Sequence, residues 1–218
     1  MEDIIREILN LEWAMMGEME GTENNEEERP VFDAMRRAQF DAWSEALAES
    51  YLHDLQAAEA EGRNLQSEKF TRMLKNIAPE EYEKQLPTLP EIADEKAAAV
   101  AELWQMFKKL NQAFADKFPV LGMSGRPLNA EQEKDVPSVE TYQCCEMLTY
   151  SLKTLRLFKE FLEADIAAGG NLVEQIQKNT VASMGFKSLE DAEKELTWAA
   201  LAEMGGEACS SCGMTPAF

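Results

Sequence analysis

Residues 30–65 read PVFDAMRRAQFDAWSEALAESYLHDLQAAEAEGRNL, and residues 137–172 read PSVETYQCCEMLTYSLKTLRLFKEFLEADIAAGGNL. The shift from Pro30 to Pro137, 107 positions, also lays Ser44 on Ser151, Leu55 on Leu162, Gly62 on Gly169, Asn64 on Asn171 and Leu65 on Leu172. It puts Trp43 on Tyr150 and Tyr51 on Phe158. Large residues recur every three or four positions: Phe40, Trp43, Leu47, Tyr51, Leu55 and Ala58 in the first stretch, Met147, Tyr150, Thr154, Phe158 and Leu162 in the second. Such spacing marks one face of an α-helix. Proline suits a helix start and glycine a helix end. Each stretch therefore predicts a helix of about 30 residues, about 45 Å long at the α-helical rise. A repeat of this length points to a duplicated half-domain, because solenoid units run roughly 20 to 50 residues.

The flanking sequence extends this plan. Ile4, Ile5, Ile8, Leu11, Met15 and Met19 form one stripe of a first helix, and the glycines and glutamates between Gly17 and Arg29 read as a solvated loop. Asn64 can cap a helix from Leu65 to about Lys75, and Pro79 opens another around Glu80 to Lys84. Pro87 and Pro90 bracket a linker. A helix from Glu91 to Lys117 follows, then a loop from Phe118 to Val136 holding Gly125-Arg126-Pro127. After the second long stretch, Asn171 caps one helix and Ser188 with Asp191 suits the start of a last one, to about Met204. With three residues inserted, Glu80 to Lys84 falls on Glu190 to Lys194. No segment alternates as a strand would. The expected fold is an all-α helical bundle of two tandem, diverged repeats around a pair of long helices. Its halves are 1–86 and 91–204, joined by 87–90, with a cysteine-containing tail at 205–218, all in one domain.

The 45% apolar content is that of a folded chain, while a net charge of −20 and a pI near 4.4 oppose bulk attraction to nucleic acid or anionic membranes. The acidic start Met1-Glu2-Asp3 is unlike a signal peptide, and no apolar run approaches the roughly 18 residues of a membrane span. The expected location is cytoplasmic, with the four cysteines reduced.

Basic residues are scarce, so their placement carries information. Arg36 and Arg37 share the first turns of a long stretch, and Arg63, Lys69, Arg72 and Lys75 crowd together. Under the 107-residue shift Arg36, Arg37, Arg63 and Arg72 meet Gln143, Cys144, Gly170 and Asn179, so only the first half carries this set. The planar arginine fork suits carboxylate or phosphate. Arg36, Arg37, Gln39, Trp43, Arg63 and Lys69 therefore predict one site for a small anionic ligand: arginines hold the anion, Gln39 orients it and Trp43 walls the pocket. Competing partners are the chain's own carboxylates, Asp33 or Asp41 for Arg37. The tryptophans and methionines otherwise read as core.

Cys209-Ser210-Ser211-Cys212 supplies two thiolates to zinc or another thiolate-bound metal, short of the four ligands of a structural site; Cys144 and Cys145, about 100 degrees apart on a helix, do not readily complete it. His53 is the only histidine, which excludes multi-histidine metal sites. Nucleophile-elbow, phosphate-loop and dinucleotide motifs are absent. Glu45, Glu49, Asp54 and Glu146 are candidate general acids or bases that spacing alone does not separate. Besides the anion-binding protein, two alternatives follow: a helical interaction protein that docks a basic partner on its acidic surface, and a thiolate metal or redox protein.

The stretch Met35 to Ser44, with Ser50-Tyr51-Leu52, Gly62-Arg63-Asn64-Leu65, Glu68-Lys69 and Pro79-Glu80-Glu81-Tyr82, resembles a bacterial domain-of-unknown-function family, DUF4125. Glu140-Thr141-Tyr142, Thr149-Tyr150-Ser151, Asn171-Leu172 and Asn179-Thr180 carry the resemblance into the second half. It covers most of residues 1 to 195 and implies a fold, with no catalytic residues. Cys144-Cys145 stand where the family pattern suggests a basic residue, and the Cys209 to Cys212 tail lies beyond the resemblance.

Overall fold

Ser44 and Ser151 decide the architecture. In the computed structural model both are extended, at φ −72°, ψ 152° and φ −68°, ψ 158°, and each hydroxyl accepts from the backbone N–H three residues on, Leu47 N at 3.3 Å and Thr154 N at 3.2 Å. Each begins a new helix. The two long helices expected from the sequence are therefore each a pair: Arg29–Phe40 then Glu45–Ala60, and Val139–Met147 then Leu152–Ala167. Periodicity could not reveal the break, because the intervening turn keeps Trp43 and Tyr150 buried on the same stripe.

The structure describes residues 1–19, 25–123, 125–132 and 136–208. Among them the helices are α1 (Glu2–Gly17), α2 (Arg29–Phe40), α3 (Glu45–Ala60), α4 (Leu65–Ile77), α5 (Pro79–Gln85), α6 (Asp94–Lys117), α7 (Pro119–Met123), α8 (Val139–Met147), α9 (Leu152–Ala167), α10 (Leu172–Ser183) and α11 (Leu189–Ala208). Short 3-10 turns lie at Leu86–Thr88 and Ala130–Gln132, and there is no strand among the described residues. The all-α expectation holds. No described helix is long and apolar enough to cross a membrane.

α1 packs on α2, α3 and α4, and α6 packs on α8, α9 and α10. α3 lies against α9, α2 against α10, and α4 against α8. One core runs through these contacts, from Ile5 and Ile8 through Phe40, Leu47 and Tyr51 to Phe107, Phe158 and Leu162. Trp13, Trp43 and Trp104 are buried, whereas Trp198 is exposed.

Positions related by the 107-residue shift share local geometry. Gly62 and Gly169 both close helices in the left-handed region, at φ 70° and 81°, which glycine adopts without a Cβ clash. Asn64 Oδ1 accepts from Ser67 N at 2.9 Å, and Asn171 Oδ1 from Glu174 N at 3.1 Å. Their Nδ2 groups donate to Met15 O at 2.6 Å and Leu110 O at 3.1 Å, which ties the first cap to α1 and the second to α6.

Because Asn64 joins two helices as well as capping one, Asn64→Ala should cost about 2 kcal/mol, and Ser44→Ala about 1 kcal/mol as an ordinary lost cap. Urea unfolding of both variants checks the difference; equal losses would mean that the Met15 bond contributes nothing.

Candidate functional site

Glu12 continues the buried stripe Ile5, Ile8, Met15 of α1, so helical geometry drives a carboxylate into the core, where it is 0% exposed. Arg36, from α2, meets it with a two-pronged fork: Nε donates to Oε2 at 2.7 Å and Nη2 to Oε1 at 2.6 Å. Tyr51 from α3 donates its hydroxyl to the same Oε1 at 2.7 Å. Across the molecule the other edge of Arg36 reaches Glu146, near the end of α8, with Nη2–Oε1 at 3.1 Å and Nη1–Oε2 at 3.4 Å. Lys69 of α4 donates to Glu146 Oε2 at 2.6 Å. Tyr150 and Gln39 donate to Oε1 at 2.9 and 3.2 Å, and Gln39 Oε1 accepts from Arg36 Nη1 at 3.0 Å.

Two carboxylates and two cations thus balance in charge within the core. Charges cost several kcal/mol each to bury, and only mutual pairing with full hydrogen bonding offsets that cost. Burial alone would raise the Glu146 carboxyl, but Arg36 and Lys69 reverse the effect and hold it well below the usual carboxylate range. Burial, reinforced by Glu12 for Tyr51 and by Glu146 for Tyr150, pushes both phenols well above their ordinary value. The network is closed, with its strongest donors committed to protein acceptors.

Of the six residues expected to hold an anion, Arg36, Gln39 and Lys69 meet at this network. Trp43 adjoins it in an aromatic cluster, 5.1 Å from Phe40 and 6.3 Å from Tyr150, with its buried indole N–H unpartnered. Arg37 and Arg63 lie elsewhere. Arg37 pairs with Glu2 and with Asp41, while Asp33 pairs with Arg29. Arg63 forks onto Glu68 at 2.9 and 3.0 Å. Sequence reasoning missed Glu12, although its place on the α1 stripe was a readable signal.

Next to the network, α4, α5 and the chain leading into α8 enclose an open cleft of about 830 Å³. Phe70, Met73, Leu74 and Ile77 give it an apolar wall; Thr71, Gln85 and Arg126 add polar groups, and so does Glu81, whose carboxylate is held by Lys84 and Gln85. Arg126 donates from Nη1 to Pro137 O at 3.1 Å and lies 5.2 Å from the Tyr142 ring centre, against which Lys69 Nζ sits at 3.8 Å. Tyr142 therefore links the cleft to the buried charges. Among the described residues no carboxylate pairs with Arg126.

Cys144 is half-buried and Cys145 buried on α8. Burial, with Cys145 and Glu140 adding, pushes the Cys144 thiol up to about 12, which disfavours the thiolate needed for metal or redox chemistry. Cys209 and Cys212 lie outside the described residues. Among the described residues no three His, Cys, Asp or Glu side chains are grouped to hold a metal.

Glu146→Gln should cost about 3–5 kcal/mol near neutral pH, since it leaves buried cations under-neutralised. A carboxyl with a depressed folded-state pKa stabilises above its unfolded value of about 4.3, and the contribution is lost as pH falls toward the folded value. Denaturant unfolding across pH should therefore show wild-type stability falling below about pH 4.3, with a shallower acid limb in the variant; parallel limbs would contradict this.

No curated protein and no solved structure matches the chain. A family model described as Protein of unknown function (DUF4125) matches residues 2–194, from α1 into α11 and including every residue of the buried network and the Arg126 cleft. The chain belongs to the DUF4125 family.

Proposed function

We propose that this protein binds, in the cytoplasm, a small molecule with one anionic group on an apolar body, seated in the cleft between α4, α5 and the entry to α8. Arg126 pairs with the anion, and Phe70, Met73, Leu74 and Ile77 cover the apolar body. The observation that carries the reading is the contrast among arginines. Arg36, Arg37 and Arg63 are all held by carboxylates, whereas Arg126 lines a cleft and, among the described residues, has only a backbone carbonyl and an aromatic ring as partners. The overall negative charge disfavours anions at long range, but beyond a Debye length of about 10 Å that field is largely screened, and a short-range arginine contact decides binding.

We also read the two halves as diverged copies. Shared caps and positive-φ glycines support this. So do contacts between positions related by the shift: Gln39 with Glu146 at 3.2 Å, and Trp43 with Tyr150 at 6.3 Å, as residues astride a local twofold would be placed. Divergence then left the cation sets unequal.

The anionic fluorophore 8-anilinonaphthalene-1-sulfonate tests the cleft. One saturable site is expected, weakened at least about tenfold by Arg126→Gln, because a charge-assisted hydrogen bond contributes roughly 1.5–3 kcal/mol. Equal affinity in a variant with unaltered near-ultraviolet circular dichroism would refute the assignment.

A further inference from the structure

The same backbone turn occurs twice, once filled and once open. Gly62 follows α3 and Gly169 follows α9, both at positive φ, and Arg63 N and Gly170 N donate to Ala58 O and Asp165 O, each at 2.8 Å. In the first turn Arg63 stands next to the glycine, and its guanidinium closes back onto Glu68 at 2.9 and 3.0 Å. The corresponding places in the second turn hold Gly170 and Gln175, and Asp165 stands where the first turn has Ala58. Whatever their ancestry, the two turns share a backbone and differ in charge: the first brings its own guanidinium, and the second brings a carboxylate instead.

The second turn borders an open cavity of about 410 Å³, whose lining includes Asp165, Gly170, Gln175, Lys117, Glu174 and Lys178. Gly170 and Gln175 are the two positions that the Arg63–Glu68 fork bridges in the first turn. The Asp165 carboxylate lies over Gly170: a Cβ there would meet Oδ1 and come within 2.8 Å of Oδ2, so a larger residue would displace it. Glycine thereby seats the carboxylate at the cavity wall. Its Oδ2 is buried with no donor, and Asp165 forms no ion pair with a described residue. Asp165 as a whole is half-buried and lines the cavity, so a molecule in the cavity reaches it. The neighbouring lysines do not supply the missing charge: Lys117 Nζ is held by Glu174 Oε1 at 2.6 Å, and Lys178 is exposed and solvated. A shielded carboxylate oxygen without a donor is unfavourable, and a ligand with N–H donors relieves that penalty.

We propose that this cavity binds a small molecule bearing a guanidinium group, with the cation on the Asp165 carboxylate and the Gln175 side-chain carbonyl as a second acceptor. The ligand brings from solution what Arg63 brings to the first turn from the chain itself. Gln175 donates through Nε2 to Asn179 Oδ1 at 2.9 Å, which leaves its Oε1 to accept. A planar guanidinium offers parallel N–H donors that match a carboxylate edge. The net charge of −20 favours the approach of a cation. The site is separate from the Arg126 cleft, with which it shares no lining residue.

Methylguanidinium chloride, titrated into the full chain at concentrations far below the denaturing range, tests this by NMR, with the Asp165 side-chain carboxyl carbon and the Gly170 and Gln175 backbone amides as reporters. Saturable shifts are expected with methylguanidinium and not with tetramethylammonium chloride, which carries the charge without an N–H donor. Asp165→Asn keeps the shape and removes the charge, so it should weaken the response of the two amides at least about tenfold, and Arg126→Gln should leave it unchanged. Methylguanidinium shifts that match those of tetramethylammonium, or that saturate alike in Asp165→Asn, would overturn the proposal. Urea unfolding separates a ligand-binding aspartate from a structural one. A carboxylate without a partner predicts that Asp165→Asn unfolds at the wild-type midpoint or above it. A midpoint lowered as far as that of Asn64→Ala would show that Asp165 already has a partner, and would also overturn the proposal.

Discussion

The pairing of Arg36 with Glu12 on one side and Glu146 on the other is the constraint on which the rest of the structure depends. A guanidinium taken out of water needs acceptors around its whole edge, and here they come from α1 and from the end of α8, more than 100 residues apart in sequence. Lys69 completes the charge balance from α4, and Tyr51 and Tyr150 fill remaining acceptor positions. Apolar packing would bring the same helices together in several registers. A charged network with directional bonds penalises any register that leaves one member unpaired.

That arrangement also sets where a ligand can be sought. The first half holds most of the arginines that looked suited to an anion, and the folded chain uses them internally, on Glu12, Glu146, Glu2, Asp41 and Glu68. On the reading proposed above, recognition moves outward to the loop before α8, where Arg126 borders an apolar wall. Tyr142 lies between the two, against Arg126 on one hand and Lys69 on the other, so cleft and core share one aromatic ring.

The all-α fold and the core stripes of α1, α3 and α9 were legible in the sequence, because three-to-four spacing reports the inward face of a helix whatever the tertiary arrangement. The α6 stripe of Val100, Leu103, Phe107, Leu110 and Phe114 was not read, and Trp198, Met35, Met123 and Met184, expected in the core, are exposed. The glycine and asparagine signals at 62, 64, 169 and 171 likewise found helix boundaries, since their chemistry is local. The break before Ser44 and Ser151 was not legible as such: a turn that returns Trp43 and Tyr150 to the core leaves the apolar pattern intact. The candidate site was half legible. Clustering brought Arg36, Gln39 and Lys69 to notice, but their partners come from α1 and α8, and no local pattern reveals a contact formed across the fold. Glu12 alone carried a local hint, as a charged residue on an apolar stripe.

A double-mutant cycle between Arg36 and Glu146, with Arg36→Met and Glu146→Leu measured singly and together by denaturant unfolding, tests the central claim most directly. If the buried pairing locks the two halves in register, the double variant should be more stable than the sum of the single losses implies, by a coupling on the order of 1–3 kcal/mol. Losses that add to within about 0.5 kcal/mol would mean that the two charges act independently, and would contradict the claim.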